Sequence, residues 1–200
     1  MKICLYQGTF NPPHLGHLQV AKFVSETLKL DKILFIPAAK PPHKSLHENK
    51  DEALHRLNMT KLLVENESKF EVSDIEFHRE TPSYTYVTVK ELYEKYNLSE
   101  KPYFIIGDDA FAKIDTWYHT DELKTLVDFV VLPRDEDFDK EKFEKLKNNG
   151  YNFQRLKMPK IHVSSTEIRK RTAKGLPLND LTTKEVKKYI YEHDLYKNVD

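Results

Sequence analysis

The sequence predicts an α/β fold in which helices cover both faces of a doubly wound, mostly parallel sheet. Short apolar runs bounded by glycine, proline or charge alternate along the chain with segments of helical periodicity. The intervening segments are long enough to serve as the crossovers that parallel strands require. A length of 200 residues suits one domain. We therefore assign residues 1–200 to a single Rossmann-like domain whose C-terminal part, from about residue 164, is helical.

The N-terminal half predicts three strands alternating with three helices. The predicted elements are strands at Lys2–Gly8, Lys32–Ala38 and Phe70–Phe77 and helices at Leu18–Leu30, Glu52–Asn66 and around Val87–Tyr96. The third strand is inferred from the alternation in "FEVSDIEF", which is typical of a half-buried strand. The second helix is interpreted as amphipathic, with Leu54 on its apolar face and Arg56 on its polar face.

The C-terminal half continues the alternation and then ends in helices. The predicted elements are strands at Pro102–Gly107, Val127–Leu132 and Phe153–Leu156 and helices at about Thr120–Leu126, Lys140–Asn148, Ser165–Ala173 and Thr183–Glu192. Two capping boxes, Ser164 with Glu167 and Thr182 with Glu185, set the starts of the last two helices. The charged segment around Lys140 is expected to be a solvated helix with Phe138 and Phe143 turned inward.

Composition excludes several function classes. Lys and Arg number 32 and Asp and Glu number 32, so the balance offers no bulk attraction to nucleic acid or to anionic membranes, and we expect neither as a partner. No apolar run reaches the roughly 20 residues that a membrane span needs. The single cysteine, Cys4, lies in an apolar run and suggests a buried thiol in a reducing compartment. We therefore expect a cytoplasmic protein.

The stretch "GTFNPPHLGH", residues 8–17 and hereafter the histidine loop, lies between the first predicted strand and helix. Backbone N–H groups and the helix dipole favour an anion at such a turn. Gly16 allows a close approach that a Cβ would block, and His14 and His17 are spaced so that both rings reach one ligand. Neighbouring phosphates would favour the protonated imidazoles.

Other interpretations of the histidine loop remain open from its residues alone. It is compatible with a rigid turn whose histidines cap or fill space. A zinc site is disfavoured, because His43, His47 and His55 do not have finger-like spacing, and we predict no protein metal site. The loop matches neither the P-loop pattern nor the glycine-triplet dinucleotide fingerprint. If it binds phosphate, it does so as a different kind of turn.

The histidine loop and "VSSTEIR", residues 163–169, together resemble the two signatures of the nucleotidyltransferase superfamily. Members of that superfamily join a nucleoside triphosphate to a phosphate-bearing acceptor and release pyrophosphate. The resemblance implies that His17, His14 and Arg169 act in catalysis. It further implies an ATP site made by Gly8, Thr9, Phe10, Gly16, Ser164, Ser165 and Thr166.

Three more stretches resemble the bacterial nicotinate-nucleotide adenylyltransferase family, namely "PAAKPPHK", "SYTYVTV" and "IIGDDAF" with "TWYH". The resemblance implies that Trp117 stacks on the pyridine ring and that backbone groups near Thr85 and Tyr118 receive the nicotinate carboxylate. It also implies that Lys44 meets the mononucleotide phosphate and that Gly107 and Asp109 lie between the nucleotides. Arg134 is a further candidate, although "VLPRDED" departs from the family's usual arginine, proline and glycine.

The activity implied by this resemblance is transfer of an adenylyl group from ATP to nicotinate mononucleotide, giving deamido-NAD and pyrophosphate. Mg²⁺ is the expected cofactor, bridging phosphates and water. The alternatives are a pantetheine-phosphate or glycerol-phosphate nucleotidyltransferase, or a nucleotide-binding sensor without turnover. Gln7 and Asn11 stand where the family usually has glycine and often has aspartate. The sequence leaves the oligomeric state open and is compatible with a homo-oligomer.

Overall fold

The computed structural model describes residues 1–42, 50–133, 139–159 and 161–197. Its strands are β1 (Ile3–Gly8), β2 (Lys32–Pro37), β3 (Phe70–Val72), β4 (Tyr103–Gly107), β5 (Asp128–Leu132) and β6 (Phe153–Arg155). Its helices are α1 (Leu15–Leu28), α2 (Lys50–Val64), α3 (Thr85–Tyr96), α4 (Asp108–Phe111), α5 (Thr120–Leu126), α6 (Lys140–Asn148), α7 (Ser165–Ala173) and α8 (Lys184–Glu192), with short 3₁₀ turns at Ile75–His78 and Ile114–Thr116.

The six strands form one sheet in the order β3-β2-β1-β4-β5-β6, and every pairing in it is parallel. Strands β1, β2 and β3 follow one another from the centre of the sheet to one edge. The chain then returns to the centre, and β4, β5 and β6 follow one another to the other edge. The reversal lies between β1 and β4, where Cys4 is in register with Tyr103. In open α/β sheets, the crevice beyond the carboxyl ends of strands at such a reversal is where ligands bind.

Alternate side chains of each central strand enter two separate cores, one on each face of the sheet. Leu5 and Phe104 pack in a cluster with residues of α3, α5 and α6. Cys4 and Ile105 pack in the other cluster, with residues of α1, α2, α7 and α8. Strands buried on both faces have near-continuous apolar sequences, which explains runs such as "ILFI". The predicted doubly wound α/β class is therefore confirmed.

Several element boundaries differ from the sequence prediction. Only Phe70–Val72 of the predicted third strand is extended, and Ile75–His78 forms a 3₁₀ turn that directs Glu76 inward. On α2, Leu54 is 45% exposed whereas Arg56 is 1% exposed, so the predicted faces are wrong at both positions. Helix α1 starts at Leu15, three residues before the predicted start. Among the described residues, no helix is both long and apolar enough to cross a membrane.

The capping predictions near the C-terminus are correct in part. The Ser164 hydroxyl accepts a hydrogen bond from the Glu167 N–H at the start of α7, but the Glu167 carboxylate pairs with Arg171 instead of completing the box. Helix α8 is capped by Thr183, not by Thr182, and the Thr183 hydroxyl accepts from Val186 N–H. Phe143 is buried as predicted, and Phe138 lies outside the described residues.

Candidate active site

The histidine loop occupies the carboxyl end of β1, beside the reversal in strand order. Strand β1 ends at Gly8 and α1 begins at Leu15, with His14 at the N-cap. A Cβ on Gly16 would lie 2.7 Å from the Ile161 side chain and 2.9 Å from the His14 ring. The close approach predicted at Gly16 is therefore made by the protein itself, and any larger residue there would displace His14.

The two histidines of the loop form a stacked pair. Their ring centroids are 3.7 Å apart with an interplanar angle of 29°, and His14 is buried whereas His17 is partly exposed. The His14 backbone N–H donates to His17 Nδ1 over 3.1 Å. An Nδ1 that accepts a hydrogen bond carries no proton, so the proton of His17 lies on Nε2. The structure thus favours a neutral donor at His17, where the sequence predicted a protonated ring.

Phe10 also contacts His17 through its ring. Its ring is 2% exposed and meets the His17 ring edge to face, with centroids 4.9 Å apart and an interplanar angle of 75°. The backbone of Phe10 is left-handed, with φ 49°, which turns this side chain back into the core. A Cβ on Gly8 would lie 3.0 Å from the Phe10 ring. Gly8 therefore leaves room for the buried Phe10 ring, on which the loop packs.

The start of α7 is joined to the histidine loop by two hydrogen bonds. The Ser165 hydroxyl donates to the Pro12 carbonyl over 2.8 Å, and Arg169 Nη1 donates to the Asn11 carbonyl over 2.7 Å. Arg169 Nη2 also approaches the Thr166 hydroxyl at 3.4 Å. The two signature segments are thus in direct contact, through residue pairs that are 153 and 158 positions apart in sequence. The single O–H of Ser165 is used within the protein, whereas the Arg169 guanidinium has further N–H groups to offer.

A buried polar cluster lies beside the loop, under the start of α3. The Gln7 amide donates to Glu76 over 2.6 Å and accepts from the Thr85 hydroxyl over 2.6 Å. Glu76 is 1% exposed and also accepts from Thr88 and from the Ala39 N–H, with Arg79 Nη2 at 3.4 Å. Buried carboxylates require this kind of pairing. The cluster fixes the position of Thr85 relative to β1, because the Thr85 hydroxyl donates to Gln7.

Trp117 and Tyr118 lie between β4 and the start of α3. Trp117 is partly buried and packs edge to face on Phe104, with centroids 6.5 Å apart and an interplanar angle of 84°. Tyr118 is 48% exposed and stacks on Tyr84, with centroids 4.4 Å apart and an interplanar angle of 24°. The stack brings the Trp117–Tyr118 segment to Thr85. The structure therefore brings together the residues predicted to hold the acceptor's ring.

At the end of β4, Gly107 is the N-cap of the short helix α4. Asp108 is buried, and its carboxylate accepts from the Asp109 N–H over 2.9 Å, while Asp109 is exposed. The resemblance indicated Asp109, and the structure places it at the carboxyl end of β4 beside the buried Asp108. Lys44 and Arg134 lie outside the described residues, so their predicted roles stay predictions.

Arg56 of α2 holds two loops of the site together and was missed by the sequence interpretation. Its Nη1 donates to the carbonyls of Thr9 and Ala38, over 2.8 and 2.6 Å. A detectable signal was present, because Arg56 lies three residues after Ala53 and seven before Leu63, both buried. Such helical spacing places the residues on one face. A charged residue on an apolar face indicates a buried, hydrogen-bonded role.

Comparison with known proteins agrees with this geometry. Residues 5–171 match the model of the family described as cytidylyltransferase-like. The chain is 37% identical over 197 residues to the nicotinate-nucleotide adenylyltransferase of Bacillus subtilis, covering 98% of this chain and 99% of that protein. It is 39% identical over 205 residues to a probable enzyme of the same name from Thermoanaerobacter, covering 98% and 95%.

A solved structure shares the fold over the whole chain. It is the nicotinic acid mononucleotide adenylyltransferase of Plasmodium falciparum complexed with NaAD, which aligns with a TM-score of 0.79 and 25% identity and covers 100% of this chain and 99% of that chain.

Proposed function

This chain belongs to the nicotinate-nucleotide adenylyltransferase family, and from that premise we propose that it transfers the adenylyl group of ATP to nicotinate mononucleotide, giving deamido-NAD and pyrophosphate. The observation that carries the proposal is the contact between the histidine loop and α7 at the carboxyl end of β1. It joins two anion-attracting features, a donor histidine and the N-terminus of a nine-residue helix, at the reversal in strand order.

On the ATP side, we assign His17 to the transition state and α7 to the phosphates. The Nε2–H of His17 is held by the Nδ1 hydrogen bond and by the flanking His14 and Phe10 rings, so it can donate without reorganising. Arg169 supplies positive charge to the same phosphates. Because the Ser165 hydroxyl is engaged by Pro12, we assign phosphate binding at this helix start to backbone N–H groups.

On the acceptor side, we assign the pyridine ring to Trp117 and its carboxylate to the backbone near Thr85 and Tyr118. Helix α3 starts at Thr85, and among the described residues no side chain caps that end. Its first N–H groups and its dipole therefore suit a carboxylate. A carboxamide would present its own NH₂ to one of these donors, leaving a mismatch that costs roughly 1–3 kcal/mol.

The chemistry requires positioning more than proton transfer. The attacking oxygen belongs to a phosphate monoester that is already ionised at neutral pH, so no general base is needed. We propose that Mg²⁺ arrives bound to the ATP phosphates. Because Mg²⁺ keeps several of its waters and pairs with substrate phosphates, we propose that phosphate oxygens and water supply most of its ligands. The buried free thiol of Cys4 supports a reducing, cytoplasmic setting.

The test is an acceptor panel with the purified protein and Mg²⁺. Pyrophosphate release is followed with ATP and, separately, nicotinate mononucleotide, nicotinamide mononucleotide and phosphopantetheine, and with CTP and glycerol phosphate. We expect deamido-NAD to form and kcat/KM for nicotinate mononucleotide to exceed that for the amide at least tenfold. A higher kcat/KM with phosphopantetheine or glycerol phosphate would identify another nucleotidyltransferase. ATP binding without turnover on any acceptor would identify a sensor.

A further inference from the structure

The C-terminal part of the chain holds the backbone of the histidine loop through hydrogen bonds. Three consecutive loop carbonyls, of Asn11, Pro12 and Pro13, accept hydrogen bonds from Arg169, Ser165 and Thr182 respectively, the last over 3.1 Å. In the opposite direction, the Leu15 N–H donates to the Leu181 carbonyl over 3.0 Å. These bonds fix the loop backbone relative to α7 and to the segment before α8.

Tyr196, beyond α8, adds a contact to a loop side chain. Its hydroxyl donates to Asn11 Oδ1 over 2.6 Å, although the two residues are 185 positions apart. Only the amide oxygen of Asn11 can accept this bond, so the Asn11 amide is held in one orientation. Asn11 is also the residue whose carbonyl receives Arg169, so the Asn11 side chain and backbone are held from two different elements.

The surroundings of this contact suggest that it has more than a packing role. A cavity of about 440 Å³ lies on this side of the loop, with Asn11, Arg169, His55 and Tyr196 among its lining residues. Next to a cavity, fewer atoms contact the loop, so a hydrogen bond contributes a larger share of its restraint. The backbone is left-handed at Tyr196 and Asp194, with φ 62° and 53°. Such conformations in residues other than glycine persist only where the surroundings hold them.

We propose that Tyr196 is a positioning residue for the ATP phosphates, acting through Asn11 on the histidine loop. The inference rests on the proposed function, because it takes the loop to be the triphosphate site. The Tyr196 hydroxyl donates to Asn11, and the proposal assigns it no direct contact with the substrate. It restrains the turn that precedes His14 and His17, so its loss would loosen the ATP site and leave the pyridine-nucleotide site, at Thr85 and Trp117, unchanged.

The experiment is isothermal titration of α,β-methylene-ATP and, separately, nicotinate mononucleotide into the full chain. Tyr196→Phe removes only the hydroxyl, and Tyr191→Phe on α8, where the side chain is 46% exposed, is the matched control. We expect Tyr196→Phe to raise the Kd for the ATP analogue on the order of five-fold, the effect of losing one hydrogen bond. The Kd for nicotinate mononucleotide, and both values for Tyr191→Phe, should stay within about two-fold of wild type.

A double-mutant cycle tests the path through Asn11. If Tyr196 acts through that side chain, Asn11→Ala combined with Tyr196→Phe weakens analogue binding no more than Asn11→Ala alone. Additive effects would overturn the proposal, as would equal weakening of both ligands or a lowered melting temperature with an unchanged Kd. Wild-type protein that binds the analogue but releases no pyrophosphate would contradict the proposed function alone, and the Tyr196 comparison would still decide this inference.

Discussion

At the scale of single residues, the donor state of His17 decides how the site can work. The Nδ1 atom accepts the His14 N–H, and the rings of His14 and Phe10 both contact the imidazole. A neutral ring with its proton on Nε2 donates one directed hydrogen bond. That donor is in place before ATP binds, and preorganised donors are the ones that lower a barrier.

We predict that His17→Ala lowers kcat by about 10²-fold or more, the range for loss of one preorganised donor, while the fold is kept. The measurement is steady-state pyrophosphate release, with circular dichroism to verify folding. His78→Ala is the control, since the His78 side chain is 70% exposed and pairs with Asp74 away from the loop. An unchanged kcat for His17→Ala would refute the assignment.

The sequence predicted that the histidine loop and α7 belong to one site because both are local patterns, and the structure places them in contact. Gln7, Glu76 and Arg56 were not identified, because their roles depend on contacts between segments far apart in the chain. Gln7 was noted as a departure from glycine, yet it anchors Thr85 through a hydrogen bond 78 residues away. The partners of a buried polar side chain are set by tertiary packing, which a local pattern does not contain.

At the scale of elements, helix α2 links the loops that follow β1 and β2. Arg56 is 1% exposed and donates to Thr9 and Ala38, one residue in each loop. The predicted amphipathic pattern missed this, because a charged residue was assigned to the solvent face by type and not by its spacing. Because a guanidinium carries several N–H donors in a fixed plane, the one side chain of Arg56 can bind carbonyls of both loops.

We predict that Arg56→Met lowers the free energy of unfolding by about 2–4 kcal/mol, because buried carbonyls lose charge-assisted donors while the aliphatic stem is kept. Urea denaturation measures the change. Lys61→Met, an exposed position on the same helix, is the control and should have little effect. The same effect from both substitutions would show that Arg56 contributes only through helix propensity or charge.

The edge of the sheet provides a prediction about pH. A hydrogen bond from Lys32 lowers the pKa of Glu71 below its ordinary 4.5. Partial burial acts in the opposite direction, and a hydrogen bond from Tyr96 lowers the pKa further. The pKa of Tyr96 is raised to about 12, first by burial and then by Glu71, so its hydroxyl stays a donor. A lowered carboxyl pKa stabilises the fold above the unfolded value of about 4.5, and that stabilisation is lost as pH falls through the lower folded value.

Accordingly, Glu71→Gln should lower the free energy of unfolding by a few tenths to about 1 kcal/mol at pH 7, since the carboxylate is 41% exposed and screened. The difference from wild type should shrink as the pH falls below about 4. Thermal melts between pH 3 and 7 measure it. Glu94→Gln, at an exposed position on α3, is the control. A Glu71→Gln difference that is constant over this range would contradict the ion-pair interpretation.

At the scale of the whole molecule, the α/β class was predictable but the strand order was not. Alternating strands and helices require crossovers, and crossovers produce parallel strands on a sheet covered on both faces. The same alternation fits several orders of strands. The reversal between β1 and β4, which brings the histidine loop, Thr85 and Trp117 to one edge, becomes visible only with the pairing of Cys4 and Leu5 to Tyr103 and Phe104.

That arrangement places the two proposed substrate sites on one edge of the sheet, and four described side chains near it are candidates for a protein nucleophile. Cys4 is fully buried in the core below the sheet, and burial raises the pKa of its thiol, so it stays protonated. The Ser165 hydroxyl donates to Pro12, and His17 Nδ1 accepts the His14 N–H, so the proton of His17 lies on Nε2. His14 is buried and stacked on His17. A covalent adenylyl-enzyme needs an accessible, activated nucleophile, and none of these four side chains meets that requirement.

We therefore predict direct in-line transfer within a ternary complex, in which the phosphate oxygen of nicotinate mononucleotide attacks the α-phosphorus of ATP and pyrophosphate leaves from the opposite side. One displacement inverts the configuration at phosphorus, whereas two displacements retain it. Turnover of ATP made chiral at the α-phosphorus should give inverted deamido-NAD. Labelled pyrophosphate should not exchange into ATP without the mononucleotide. Retention, or exchange without the acceptor, would require an adenylyl-enzyme and would overturn this mechanism.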